Sequence, residues 1–386
     1  MRQQLLESFR SKRVSQNIFM PLMVHDYFES LPDYDRLLRA DTKKFDADGY
    51  PTLGERFRYF LGPDGIRYRL AFGEKIGAAF LGWCQGWAVN ATIDSSVVSE
   101  EHDNGPETIY VTKTPVGELT SRREISTVSH VSYQTERPLK TLDDLRVFRY
   151  ISEATSFQPS YEGGRKNLEL IDEAGIFCGA GFSCPFHELL YLFEAEDFLV
   201  MSFNIPKEVL DVIDVMHANN IEVVKILADS PFHVFDHEAL WDARQISPKL
   251  HRQYYVPFQK DYNDIFHAAG KLCFDHASGQ DVSPYVAGIE AAQFDIIYGL
   301  HLGEENVDQT ADLLRRWDGR IVGIPGPDPD YLRRMSAEKV GKLCDNLLAK
   351  MGDRQVIIGS SDAMVPGTPV ENLMAVSETL QAAGQR

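Results

Sequence analysis

From about residue 140 onward, short apolar runs bounded by Gly, Pro or Asp alternate with helical patterns. This rhythm constrains the fold more than any other feature of the chain. A short apolar run that stops at a turn signal reads as a buried strand, and a helix between two such runs lets them pair in parallel. The candidate core strands are Ile18–Val24, Ala78–Trp83, Gly175–Gly179, Val223–Leu227, Lys271–Asp275, Phe294–Tyr298, Arg320–Ile324 and Gln355–Ile358. That succession fits an α/β fold of the (β/α)8 TIM-barrel type better than an open sheet. Ser247-Pro248 supplies an N-cap hydroxyl and a proline at the first helical position. The helix they open carries Leu250, Tyr254, Phe258, Tyr262, Ile265 and Phe266 on one face, is expected to kink at Pro257 and closes at Gly270. Pro206–Ala218 and Ala337–Lys350 also have helical spacing.

From about residue 60 to 137 the rhythm changes. Thr108–Thr114, Glu118–Ser121 and Thr127–Tyr133 read as β segments around the Pro115–Gly117 turn. The expected organisation is one domain over 1–386, with an N-terminal extension, a β-hairpin insertion at about 60–137 and regular β-α units over about 140–386.

Several classes are disfavoured. No GxGxxG follows a strand and no GxxxxGK[ST] occurs, so neither a Rossmann dinucleotide site nor a P-loop has support. A formal net charge of −18 argues against nucleic acid, whose phosphates need clustered Lys and Arg. No apolar run is long enough for a membrane span, and the polar opening lacks a secretory h-region. Cys84, Cys178, Cys184, Cys273 and Cys344 are scattered without a CxxC pair. A disulfide framework is therefore not expected, and a cytoplasmic location is.

In a barrel of this kind the chemistry comes from the C-terminal ends of the strands. Those ends place Asp229, Phe232, His233 and His237 after one strand, His276 after the next, and His301, Glu304 and Glu305 after a third. Asp362 follows the last strand, and His187 and Glu188 follow the strand ending at Gly179. Each has a plain alternative. His233 and His237 read equally as surface-loop residues, Asp229 and Asp362 as caps, and His301 with its two glutamates as a helix entry. His276 is the exception, because it ends an apolar strand and precedes the small-residue turn Ala277-Ser278-Gly279.

Four segments resemble the uroporphyrinogen-decarboxylase superfamily, and more closely its corrinoid (cobalamin) methyltransferase branch. RQQLLESFRSKRVSQNIFMPLMV looks like the family's opening helix and first strand, and TPVGELT with ERPLKTLDDLRVFRYI like its hairpin and next helix. SPKLHRQYYVPFQKDYNDIFHAAGKLCFDHASG looks like its kinked helix, strand and His-containing turn, and IIGSSDAMVPGTPVENLMAV like its last strand, PxTP turn and final helix. Two departures narrow what the resemblance implies. Where the decarboxylases carry an arginine-rich segment for the substrate's carboxylates, this chain reads MVHDYFESLPDYD, and such a loop is expected to repel a polyanionic porphyrinogen. Where the coenzyme M methylating branch holds zinc with His-x-Cys and a distant Cys, this chain has His276, Ser278 and Asp362.

The lost thiolates point away from a thiol substrate and toward an oxygen one. The resemblance therefore implies a corrinoid-dependent methyltransferase that removes a methyl group from a methoxylated, aromatic or other small methylated compound. The acceptor is cob(I)alamin on a corrinoid-binding partner protein. His276 is expected as acid or metal ligand, with Asp362 and Asp229 as further ligands of a possible Zn2+ or as orienting groups. Phe232, His233, Tyr285 and His301 are expected to line the substrate site. The alternatives are a decarboxylase of a small carboxylate on the same scaffold and a non-catalytic binding homologue.

Overall fold

The structure is a computed structural model that describes residues 1–384 except 47–48, 84–87, 105–106, 127–131 and 239–241. The strands in chain order are β1 (Ile18–Phe19), β2 (Phe80–Trp83), β3 (Val89–Ile93), β4 (Val98–Asn104), β5 (Glu107–Thr114), β6 (Gly117–Ile125), β7 (Ser132–Glu136), β8 (Thr155–Pro159), β9 (Gly175–Ser183), β10 (Val234–Glu238), β11 (Leu272–His276), β12 (Ile296–Leu302), β13 (Val322–Pro327) and β14 (Ile357–Ile358). A curled parallel sheet runs in the order β13-β12-β11-β10-β9-β2, and β1 pairs in parallel with β14. Hydrogen bonds seat that pair between the two edges of the sheet. Ala79 N–H donates to the Phe19 carbonyl at 2.7 Å on one side, and Gly359 N–H to Pro325 at 2.8 Å on the other.

The sheet buries both faces, which is why its strands read as continuous apolar runs rather than as alternating ones. Ile176, Val234, Phe274, Tyr298, Ile324 and Ile357 pack together on the concave side. Leu5, Leu6 and Phe9 of the first helix, Arg2–Ser11, join this inner cluster. That helix lies across the N-terminal edge. Arg2 donates to the Gly175 carbonyl at the start of β9, and the Lys12 carbonyl accepts from Gly319 N–H ahead of β13. The convex side is covered by the helices and holds a second, larger cluster that includes Phe235, Phe266, Tyr262 and Trp317.

One strand differs from its sequence-based placement. Val223–Leu227 belongs to the helix Lys207–Ala228, and the strand is Val234–Glu238. Its β-branched valines suggested a strand, but Val224 and Leu227 complete the buried stripe begun by Val212, Ile213 and Met216, and packing of that stripe overrides local propensity. The expected kink is present. Ser247 Oγ accepts from Leu250 N–H, and the helix Pro248–Tyr254 breaks at Tyr255 before Val256–Ala268 begins with Pro257 in its first turn. The hairpin region forms the antiparallel sheet β4-β5-β6-β7 and the antiparallel pair β3-β8. Residues 127–131 of the expected Thr127–Tyr133 segment, and Cys84, lie outside the described residues; Cys184, Cys273 and Cys344 are free thiols. Among the described residues, no helix is long and apolar enough to cross a membrane.

Candidate functional site at the C-terminal edge of the sheet

β11 ends at His276, and the alternation Leu272, Phe274, His276 turns its ring to the concave side. The following turn is tight. Ser278 and Gly279 both take left-handed backbone conformations (φ 48° and 69°), and Gly279 N–H donates to the Gly299 carbonyl at 2.8 Å. Gly299 itself has φ +76°, and a Cβ there would meet His276 Cδ2 at 2.8 Å and the Ser361 carbonyl at 2.6 Å. Only glycine lets β12 pass this close beneath the ring.

Four groups surround the imidazole. Ser278 Oγ is 3.3 Å from Nδ1, Asp362 Oδ1 is 3.8 Å from Nε2, and the Ser361 backbone lies beside the ring. The Tyr298 ring lies 5.7 Å away by centroid. The Tyr298 hydroxyl donates to the Met20 carbonyl and accepts from Ser360 N–H, while Ser360 Oγ accepts from Leu22 N–H. Tyr298 therefore ties the ends of β1, β12 and β14 into a floor under His276. Burial lowers the His276 pKa below the ordinary imidazole value, and the Asp362 carboxylate and the Ser361 hydrogen bond offset part of that shift. Asp362 itself is half-exposed, and its Oδ1 accepts the N–H of Ala363 at 2.6 Å.

Other expected site residues fall elsewhere. Asp229 caps the end of the Lys207–Ala228 helix, and Phe232 and His233 follow it ahead of β10. All three sit at the N-terminal edge, where the His233 carbonyl accepts from Leu272 N–H. His276 is four residues along β11 from Leu272, roughly 13 Å at 3.3 Å per residue. Asp229 therefore cannot join His276 and Asp362 on one ion, and Phe232, fully buried against Phe177, is a core residue. Tyr285 is buried with its hydroxyl donating to the Ile246 carbonyl, so it is packing rather than an open aromatic wall. His237 points to the convex side, 2.6 Å from Asn263 Oδ1. His301 does lie at the C-terminal edge, bonded to Glu305 at 2.9 Å, and lines a cleft of about 260 Å³ with Gln280, Ser283, Asn306 and Gln309.

Sequence reasoning missed Asp236. It pairs in register with Phe274 and is fully buried on the concave side, one layer below His276. The signal was the alternation in Val234-Phe235-Asp236-His237, hidden once the strand had been placed eleven residues too early. The acidic loop after β1 is partly paired. Asp26 and Glu29 are bound by the buried Arg56 at 2.9 and 2.7 Å, Asp33 by Arg36 and Asp35 by Arg39. Three guanidinium groups, one of them from the helix Leu53–Leu61, offset part of the charge of these four carboxylates, so the repulsion argued from them is weaker than the loop alone implies.

The His276–Asp362 pair falls short of a zinc site. A catalytic zinc site offers three protein ligands within about 2.0–2.3 Å of the metal. Among the described residues, no third His, Cys, Asp or Glu donor lies within 4.8 Å of both His276 and Asp362. Two donors, one of them half-exposed, do not make that site.

Comparison with known proteins bears on the fold and the family. The family described as Uroporphyrinogen decarboxylase (URO-D) matches residues 130–383, more than half of the chain. Among solved structures, a methyltransferase from Methanosarcina mazei superposes with a TM-score of 0.61 at 11% identity, covering 98% of this chain and 97% of the other. No curated protein matches by sequence.

Proposed function

The chain belongs to the uroporphyrinogen-decarboxylase family, and on that premise we propose that it is a methyltransferase of the family's corrinoid branch, built on a closed (β/α)8 barrel. The observation that carries the reading is the His276–Asp362 pair over the Tyr298 floor. The donor is a small methyl ether, aromatic or otherwise. A corrinoid carried by a partner protein supplies the nucleophile that takes the methyl group.

The chain's own task is the leaving oxygen. An alkoxide or phenoxide leaves badly unless a proton reaches it as the carbon–oxygen bond breaks and its electron pair stays on oxygen. His276 in its imidazolium form holds that proton, with Asp362 favouring the charged form against the cost of burial. Ser278 at Nδ1 and the Gly299 backbone fix the ring plane. Asp362, half-exposed, leads from the pair to solvent, and the His301 cleft beside the turn offers polar contacts to the rest of the substrate.

The test is methyl transfer from methoxyaromatics, methylamines and thiols to reduced cobalamin. Transfer from an ether, lost by at least about 100-fold in His276→Ala, is expected; full transfer by that variant would remove the site. The family's own description favours a second reading, decarboxylation of a small carboxylate. Release of carbon dioxide from such an acid, with no methyl transfer from any of the three donor classes, would establish that reading instead.

A further inference from the structure

At the opposite, N-terminal edge of the sheet a second cluster of chemically active side chains meets, and the methyl-transfer reading makes no use of it. His267 lies in the last turn of the Val256–Ala268 helix, Cys273 is the second residue of β11, and Asp295 directly precedes β12. Cys273 and Asp295 both turn to the convex side, by the same alternation that sends Phe274 and Ile296 inward. One ligand atom from each of the three lies within 4.8 Å of the others. Asp295 is the hub. Its Oδ2 accepts from Cys273 N–H at 2.6 Å and lies 2.9 Å from His267 Nε2, while its Oδ1 holds the ammonium of Lys12.

We propose that His267, Cys273 and Asp295 form a site for a thiophilic divalent cation of the zinc class, and that Lys12 is the cation that occupies it in the metal's absence. Imidazole, thiolate and carboxylate together are a donor set that zinc accepts, with water as the fourth ligand. The buried carboxylate needs a positive partner, and Lys12 supplies one on a flexible stem. Its backbone is held independently of its side chain. Lys12 closes the first helix in a left-handed conformation, its N–H donates to Ser8 and its carbonyl accepts from Gly319 N–H. The ammonium can therefore swing out without moving the helix. His267 remains one-third exposed and gives the ion a way in. On binding, the metal–sulfur bond forms as the Cys273 thiol gives its proton to water, and the Lys12 ammonium leaves Asp295 for solvent.

Cobalt(II) titrated into the full-length chain is the probe, because a thiolate–cobalt bond has a charge-transfer band in the near ultraviolet. The wild type should develop that band, Cys273→Ser should lose it and His276→Ala should keep it. Lys12→Met should bind at least about tenfold more tightly, the equivalent of about 1.4 kcal/mol of removed ion-pair competition. Absence of the band from both the wild type and Lys12→Met overturns the site. So does a band that survives in Cys273→Ser.

Discussion

Replacing Asp362 by Asn keeps the shape of the side chain and removes one charge 3.8 Å from His276 Nε2. At that separation a full charge pair is worth roughly 4 kcal/mol at an effective dielectric of about 20, and about 1 kcal/mol in water. Asp362 is 48% exposed, which places the pair toward the lower end, at about 1–2 kcal/mol. One pKa unit corresponds to about 1.4 kcal/mol, so the expected change is about one unit. The sign follows from the geometry. Burial already lowers the His276 pKa and Asp362 raises it back, so Asp362→Asn lowers it further. Two measurements check this. The imidazole carbon-bound protons, followed by NMR across pH, should titrate about one unit lower in the variant. If the imidazolium is the working acid, the pH–rate profile for methyl transfer falls as pH rises through the His276 pKa. That limb should move down by the same amount, leaving activity near neutral pH reduced about tenfold. A His276 pKa that stays put or rises would refute the electrostatic coupling. A pKa that falls while the pH–rate limb does not move would refute the acid role.

Other consequences concern the frame around the pair. Gly299→Ala puts a Cβ 2.6 Å from the Ser361 carbonyl at φ +76°, and should cost about 2 kcal/mol in denaturant unfolding along with methyl transfer. Arg56→Met leaves the carboxylates of Glu29 and Asp26 without their cation and should cost about 3–5 kcal/mol, read as a lowered urea midpoint. Acid should destabilise the fold early. Burial lowers His187 and His237 to about 4 and His251 to about 3, so all three stay neutral in the folded chain while the unfolded chain protonates them near 6.5. The unfolded state then binds more protons, so stability is lost as pH falls below about 6.5 and the loss continues toward pH 4, at up to about 4 kcal/mol per pH unit. Urea midpoints that are equal at pH 7 and pH 5 would contradict this.

The family, the parallel strands and His276 were all legible in the sequence because each rests on local pattern. An apolar run ending in a turn signal is a strand wherever it sits. A histidine that ends such a run before Ala-Ser-Gly must stand at the strand's C-terminal end, and Ser247-Pro248 caps a helix in any context. What local pattern could not settle was direction. The stretch Val223–Leu227 has valines suited to a strand, yet it is the last turn of a helix whose buried stripe packs against the sheet. That single displacement sent Asp229, Phe232 and His233 to the wrong edge and hid Asp236 on the inner face. Nor could sequence show that the acids after β1 pair with Arg36, Arg39 and the more distant Arg56. The approach of Asp362 to His276, across a long chain separation, depends on β14 curling back beside β1 and β13, and Gly299 makes room for it. Spacing along a strand is covalent and can be read from the chain. Which strand ends meet, and which charges are spent before they reach the site, is decided by packing, where burial and distance set every energy that the chemistry uses.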